Sequence, residues 1–237
     1  MSGRAAQDFV PPPASVPSSL RIGFVGAGKL AQTLAAAFVQ AGLDVGCASS
    51  RSAANRDAMR ARVPSVRTTE AAQRVVDHCD LVFVAVSDDA IEPVCRALAW
   101  RPGQSVVHGS GATEVAALAA ARARGARTGG FHPMQMFANP DVALAGLPGC
   151  TVGVEADAPL LGTLQALARA IGCEPFTLPL GVRPLYHASA YYVGPFLIAL
   201  LKEGARLWQR FGADEAQALQ ALLPLLRGTV AAVQDGG

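Results

Sequence analysis

The residues best suited to chemistry in this chain gather around one glycine turn. Gly26-Ala27-Gly28-Lys29-Leu30-Ala31 follows the apolar run Ile22-Gly-Phe-Val25 and opens the apolar stretch Leu30 to Ala41. Strand, glycine turn and helix start are the context in which a G-x-G-x-x-A pattern binds a dinucleotide. Gly26 permits the tight turn, Gly28 lets the backbone approach a diphosphate, and Ala31 lets helix pack closely on strand. The helix start offers free N–H groups and the positive end of a dipole to the phosphates. The competing reading is an ordinary turn, and the flanking elements favour the nucleotide.

The second strand should choose the cofactor. An NAD site places Asp or Glu about 20 residues beyond the first glycine, on the ribose 2′-hydroxyl. Here Ser49-Ser50-Arg51-Ser52 stands instead, and Asp44 lies at the other end of the strand. A guanidinium with three hydroxyls suits a 2′-phosphate, so NADP(H) is expected, with Arg56 as a candidate second cation. The alternative is that Arg51 is a solvated loop residue.

Ligands bind at the carboxyl ends of such strands. Val86-Ser87-Asp88, His108-Gly-Ser110-Gly111 and His132-Pro133 therefore belong at the nicotinamide end. Hydride transfer also needs a proton donor and a group that orients the electrophile. His187, in Tyr186-His187-Ala-Ser189, is the candidate donor because imidazole titrates near working pH; a buried structural histidine is an equal reading. Ser110 is a candidate to orient a carbonyl oxygen, although a helix cap before Thr113 explains it somewhat better. His132 either lines the cleft or ends a strand. Arg183 is a candidate for a substrate carboxylate. No His, Cys or carboxylate cluster has metal-ligand spacing, so no metal is expected.

The elements that must position these groups follow from pattern. Leu43–Ala48, Ser65–Thr68, Leu81–Val86, Ser105–His108 and Thr128–His132 read as strands. Thr69–Val76, Asp88–Ala99 and Thr113–Arg124 read as helices, and Pro133–Gly149 as a loop. A last strand–helix–strand unit covers Thr151–Glu155, Leu160–Ile171 and Cys173–Leu178. Beyond Gly181 only helical patterns remain, at about 183–211 and 214–234, with Gly194-Pro195 bending the first. The expected fold is α/β: an N-terminal doubly wound Rossmann domain over 20–179, then an all-helical domain over 180–237, preceded by a Pro- and Ser-rich mobile tail over 1–19.

Composition narrows the function classes. The 237 residues are 51% hydrophobic and 16% charged, enough apolar surface for a sizeable core. Twenty basic against 18 acidic residues give a net charge of +2, too even for a general nucleic-acid binder. Five widely spaced cysteines without a C-x-x-C pair suggest neither a zinc ribbon nor a dithiol redox site; Cys79 and Cys95, in or beside apolar runs, read as buried thiols, and a reducing cytoplasm is expected. No continuous apolar run approaches the ~18 residues needed to span a bilayer, so no membrane segment is expected.

Taken in order, Ile22-Gly-Phe-Val-Gly26-Ala-Gly28, Ala85-Val-Ser87-Asp88, His108-Gly-Ser110-Gly111-Ala, Gly130-Phe-His132-Pro133-Met-Gln135, Tyr186-His187-Ala and Leu222-Leu-Pro224-Leu-Leu-Arg-Gly-Thr229 resemble the Rossmann-like proteins that carry a DUF2520 domain. These belong to the broader group of 6-phosphogluconate, β-hydroxyacid and pyrroline-5-carboxylate reductases. The resemblance implies an NADP-dependent oxidoreductase acting on a small carbonyl or imine acid, with a 2-oxo acid such as ketopantoate as a candidate. An F420-linked NADP oxidoreductase and a non-catalytic NADP(H)-binding sensor are the alternatives. It also implies a homodimer through the helical domain. Two departures stand out: many relatives carry Asn at the position of Pro195, and relatives continue beyond Gly237, so a shortened helical domain is expected.

Overall fold

A computed structural model describes residues 16–236. The chain divides into two units, one ending at Pro184 and one beginning at Leu185.

The first unit is built on an eight-stranded sheet in the order β3-β2-β1-β4-β5-β6-β7-β8. The strands are β1 Arg21–Val25, β2 Asp44–Ser49, β3 Arg67–Thr69, β4 Leu81–Val84, β5 Ser105–His108, β6 Arg127–Pro133, β7 Thr151–Ala156 and β8 Glu174–Thr177. Strands β1 to β6 are mutually parallel. Strand β7 pairs antiparallel with β6, and β8 pairs parallel with β7. The last two strands therefore run against the other six, which periodicity alone does not reveal: a strand reads the same in either direction.

Helices cover both faces. On one, α1 (Lys29–Gln40) buries Ala31, Leu34, Ala35 and Phe38 against the sheet. Phe24, Phe38, Phe83 and Phe131 form one aromatic cluster there, with ring centroids 5.1 to 6.4 Å apart. Such offset and edge-on contacts add to the burial itself. On the other face lies α3 (Ala72–His78), so close that a Cβ on Gly23 would stand 2.5 Å from the Cys79 sulfur. The remaining helices of this unit are α2 (Ala53–Arg62), α4 (Asp88–Ala97), α5 (Ala119–Arg122), α6 (Pro140–Ala145) and α7 (Leu160–Ala170).

Several expectations need correction. Helix α2 has no apolar stripe, since only Met59 is buried, and so left no periodic trace. Helix α6 sits inside the expected loop, marked only by the Asn139 cap and by Pro140 at its first position. The Ala-rich stretch after Thr113 is a 3-10 turn over Val115–Leu118 and one turn of α5, not a continuous helix. The tail expected over 1–19 falls on residues 1–15, which lie outside the described residues, but Val16 packs against the core.

The second unit is helical. Helix α8 (Arg183–Val193) begins within the first unit; α9 (Pro195–Gln209) and α10 (Glu215–Gln234) follow. Pro195 does not bend a helix from inside; it opens α9 at the first helical position, where its missing N–H costs nothing. Asp214 and Gln217 close a capping box at the start of α10. Gly204 lets α9 approach α10, because a Cβ there would meet Leu222 at 3.3 Å. Among the described residues, only Ala205 and Ala218 of this unit are buried. Against the sequence expectation, α10 is long and apolar enough to cross a membrane by length and composition, with a mean hydropathy of 1.2. Its Gln, Arg and Gly residues interrupt any continuous apolar run.

Candidate functional site

The glycine turn is held by three independent constraints. Gly26 has φ +107°, and a Cβ there would lie 2.1 Å from the Ala85 carbonyl oxygen. Its N–H donates to the Ser49 carbonyl at 2.9 Å, which ties the turn to the end of β2. The buried Gln32 side chain donates to the Ala27 carbonyl at 2.9 Å and closes the loop from within. Gly28 caps α1, but no side chain accepts from the first-turn N–H groups, and that turn contains no acid. A Cβ on Gly28 would meet nothing within 4 Å. The free donors of the α1 start thus face open space, as an anion site requires. Lys29 stands beside this turn with its ammonium donating to the Ala138 carbonyl at 2.6 Å.

The Ser49–Ser52 loop is braced from below. The Ser50 hydroxyl accepts from the Ser52 N–H at 3.2 Å, and the Ser52 hydroxyl accepts from the Asn55 N–H at 3.3 Å to cap α2. Arg56 is not a free second cation. Its guanidinium donates to the Ser50 and Arg51 carbonyls at 2.7 and 3.1 Å and pairs with Glu70 at 2.7 Å. Among the described residues, Arg51 makes no ion pair and is exposed. Asp44, at the far end of β2, pairs with Arg21 at 2.9 Å.

Together these elements line an open cleft of about 870 Å³. Gly26, Ala27, Gly28, Lys29, Leu30, Ser49, Ser50, Arg51, Ser52, Val86 and Ser87 all border it. Asp88 does not; it is exposed in the first turn of α4, where its charge favours the helix start. Among the described residues Glu70 is the one carboxylate on the cleft wall, and sequence reading missed it because β3 is only three residues long and polar. The residues present fit a dinucleotide: open donors at one end, a cation with hydroxyls at the other.

The remaining candidates separate into different surroundings. His108 is fully buried, and burial followed by the nearby Arg183 charge pushes its imidazole down to about 3. It is therefore neutral at working pH. The Ser110 hydroxyl donates to the Thr113 hydroxyl at 2.9 Å and accepts from the Ala112 and Thr113 N–H groups at 3.3 and 3.0 Å. These bonds close a local turn and do not cap a helix, because the 3-10 turn over Val115–Leu118 starts from Glu114 without a side-chain cap. Arg183 is fully buried: Nε donates to Glu155 at 2.5 Å and Nη1 to the Ser110 carbonyl at 2.8 Å. Gly130 makes the room, since a Cβ there would stand 1.7 Å from Nη2. Arg183 is thus committed to a structural clamp and not to a substrate carboxylate. His132 is half-buried in β6, opposite Gly153. His187 belongs to the helical unit, its ring edge-on to Tyr191 at 5.0 Å. Nothing in the sequence signalled the Arg183–Glu155–Gly130 arrangement, whose members lie on three separate elements.

No curated relative matches the chain. Among solved structures, BF3122 of Bacteroides fragilis is 19% identical, with a TM-score of 0.74 over 92% of this chain and 81% of that one. The reductive aminase of Aspergillus terreus, in complex with NADPH and ethyl-5-oxohexanoate, is 19% identical, with a TM-score of 0.70 over 91% and 75%. The 1-pyrroline-5-carboxylate reductase of Streptococcus pyogenes is 15% identical, with a TM-score of 0.68 over 91% and 80%. At these identities the likeness concerns the fold. Residues 150–237 match the domain of unknown function DUF2520, and that match begins one residue before β7 rather than at the boundary between the two units. Residues 11–133, more than half of the chain, match the Rossmann-like domain, and the chain belongs to that family.

Proposed function

We propose that this chain is an NADP(H)-dependent reductase of a small carbonyl or imine acid, with a 2-oxo acid such as ketopantoate as one candidate. One observation carries the reading: an open, uncapped turn at Gly28 shares its cleft with an unpaired guanidinium, Arg51, among serines. The substrates implied by the names of the reductive aminase and the pyrroline-5-carboxylate reductase support the substrate class. NADPH, when bound, supplies a hydride to a carbonyl or imine carbon.

The protein's own residues hold and orient. The N–H groups of Lys29 and Leu30 hold the diphosphate, and Ser50, Arg51 and Ser52 hold the 2′-phosphate. Val86 and Ser87 border the nicotinamide end. His187 donates the proton. His132 orients the substrate, while Ser110 keeps its loop in shape through the contacts to Thr113. We also propose a cytoplasmic homodimer joined through the helical unit. The exposed apolar side chains Leu200, Leu207, Phe211 and Leu225 support the dimer.

Calorimetry with NADPH and NADH tests the cofactor. NADPH is expected to bind more tightly, and Arg51→Ala to weaken NADPH roughly 10- to 100-fold while sparing NADH, because a charged hydrogen bond contributes about 1.5–3 kcal/mol. No heat from either dinucleotide overturns the proposal. NADPH oxidation across a panel of 2-oxo acids and cyclic imines identifies a reductase; binding without turnover identifies a sensor. Deazaflavin absorbance tests the F420 alternative. An unchanged kcat in His187→Ala removes His187 as the donor.

A further inference from the structure

We propose that Cys150 and Cys173 are a redox-active thiol pair that closes to a disulfide when the protein meets a hydroperoxide.

The pairing comes from the sheet. Thr151 faces Glu174 in the parallel β7–β8 pair, so the cysteines just before each strand are lateral neighbours. Backbone bonds lock them there: the Gly149 N–H donates to the Gly172 carbonyl at 2.7 Å, and the Glu174 N–H to the Cys150 carbonyl at 2.9 Å. The Leu147 carbonyl accepts from the Cys150 N–H at 2.8 Å and lies 3.1 Å from the Cys173 sulfur. Both side chains enter the same apolar cluster, so they point to one face of the sheet. Neighbouring strands stand about 4.8 Å apart, within the Cα range of about 4.4–6.8 Å that a disulfide spans.

The two thiols are unequal. Cys150 is half-exposed, and the adjacent Cys173 thiol, with help from the Met134 N–H, holds it below the usual thiol range. Cys173 is buried, and its thiol is pushed up by the same contact and by burial. The other three cysteines, Cys47, Cys79 and Cys95, are buried with their thiols raised by desolvation, Cys79 to about 12. Thiolate character and access thus coincide only at Cys150. The pair lies at the start of β7, which runs antiparallel to β6, and hence at the end of the sheet where the glycine turn lies.

The chemistry balances. The Cys150 thiolate attacks the peroxide O–O bond, giving a sulfenic acid; the other oxygen leaves and is protonated to water. The Cys173 sulfur then attacks the Cys150 sulfur and expels the hydroxyl, which takes the Cys173 proton and leaves as a second water. Two thiols are oxidised and one hydrogen peroxide is reduced. A dithiol reductant reverses the bond.

The experiment treats the native full chain with hydrogen peroxide, counts its thiols and maps the peptides. The expected result is loss of two of the five thiols, with Cys150 joined to Cys173, and their return with dithiothreitol. In Cys173→Ser, dimedone is expected to trap a sulfenic acid at Cys150. Five unreacted thiols in the native protein, or a bond mapping to Cys47 and Cys79, overturns the proposal. The wild-type mapping decides it even where a variant fails to fold, and it does so independently of any nucleotide.

Discussion

The two units of this molecule solve opposite problems. The sheet unit buries two apolar layers and must also satisfy polar groups inside them: Arg183, Glu155 and His108 all lie below the surface. The helical unit has almost nothing buried, only Ala205 and Ala218 among its described residues, and leaves many of its large apolar side chains in the open. One unit is stabilised by its own interior. The other leaves large apolar side chains such as Leu200, Leu207, Phe211 and Leu225 exposed. Substitutions should therefore act on stability in the first unit and on association in the second.

The largest effect is expected at the buried ion pair. Arg183→Ala leaves the Glu155 carboxylate uncompensated and empties the space over Gly130, at a cost of roughly 3–5 kcal/mol in urea unfolding. A loss under 1 kcal/mol would mean that the clamp does not hold the sheet unit. Next comes pH. The folded His108 pKa of about 3 lies below its ordinary value of 6.5, so between these values the unfolded chain binds the extra proton. Its contribution is fully present above pH 6.5 and is lost progressively toward pH 3. Stability at pH 5 should fall about 2 kcal/mol below that at pH 7. His108→Leu should flatten that slope, and an unchanged slope would mean other groups cause it. The smallest stability effect belongs to the helical unit. Leu207→Ser and Phe211→Ser should change unfolding of the dilute protein by about 0.5 kcal/mol or less. The same pair should shift a dimer toward monomer in sedimentation, and sedimentation identical to wild type would break the contrast between the units.

Legibility in the sequence followed the same divide. Continuous β-branched runs such as Leu81–Val84 announced buried parallel strands, and the glycine turn announced its own helix. Helix α2 stayed hidden because its faces are almost wholly exposed. The site was legible where function is local: the turn and the Ser49–Ser52 loop each lie within a few residues. It was illegible where function is shared between distant segments. Arg56 looked like a second phosphate ligand, yet Glu70 and two carbonyls claim it. Arg183 looked available for substrate, yet Glu155 and Ser110 enclose it.

By itself the sequence determined the order of the strands, the dinucleotide-type turn and the absence of an acid at the carboxyl end of the second strand, because each depends on neighbours along the chain. Only the tertiary structure decided which charges are spent, which strands reverse, and which two of five cysteines stand side by side. Those outcomes depend on contacts between segments tens of residues apart, and one-dimensional spacing carries no record of them.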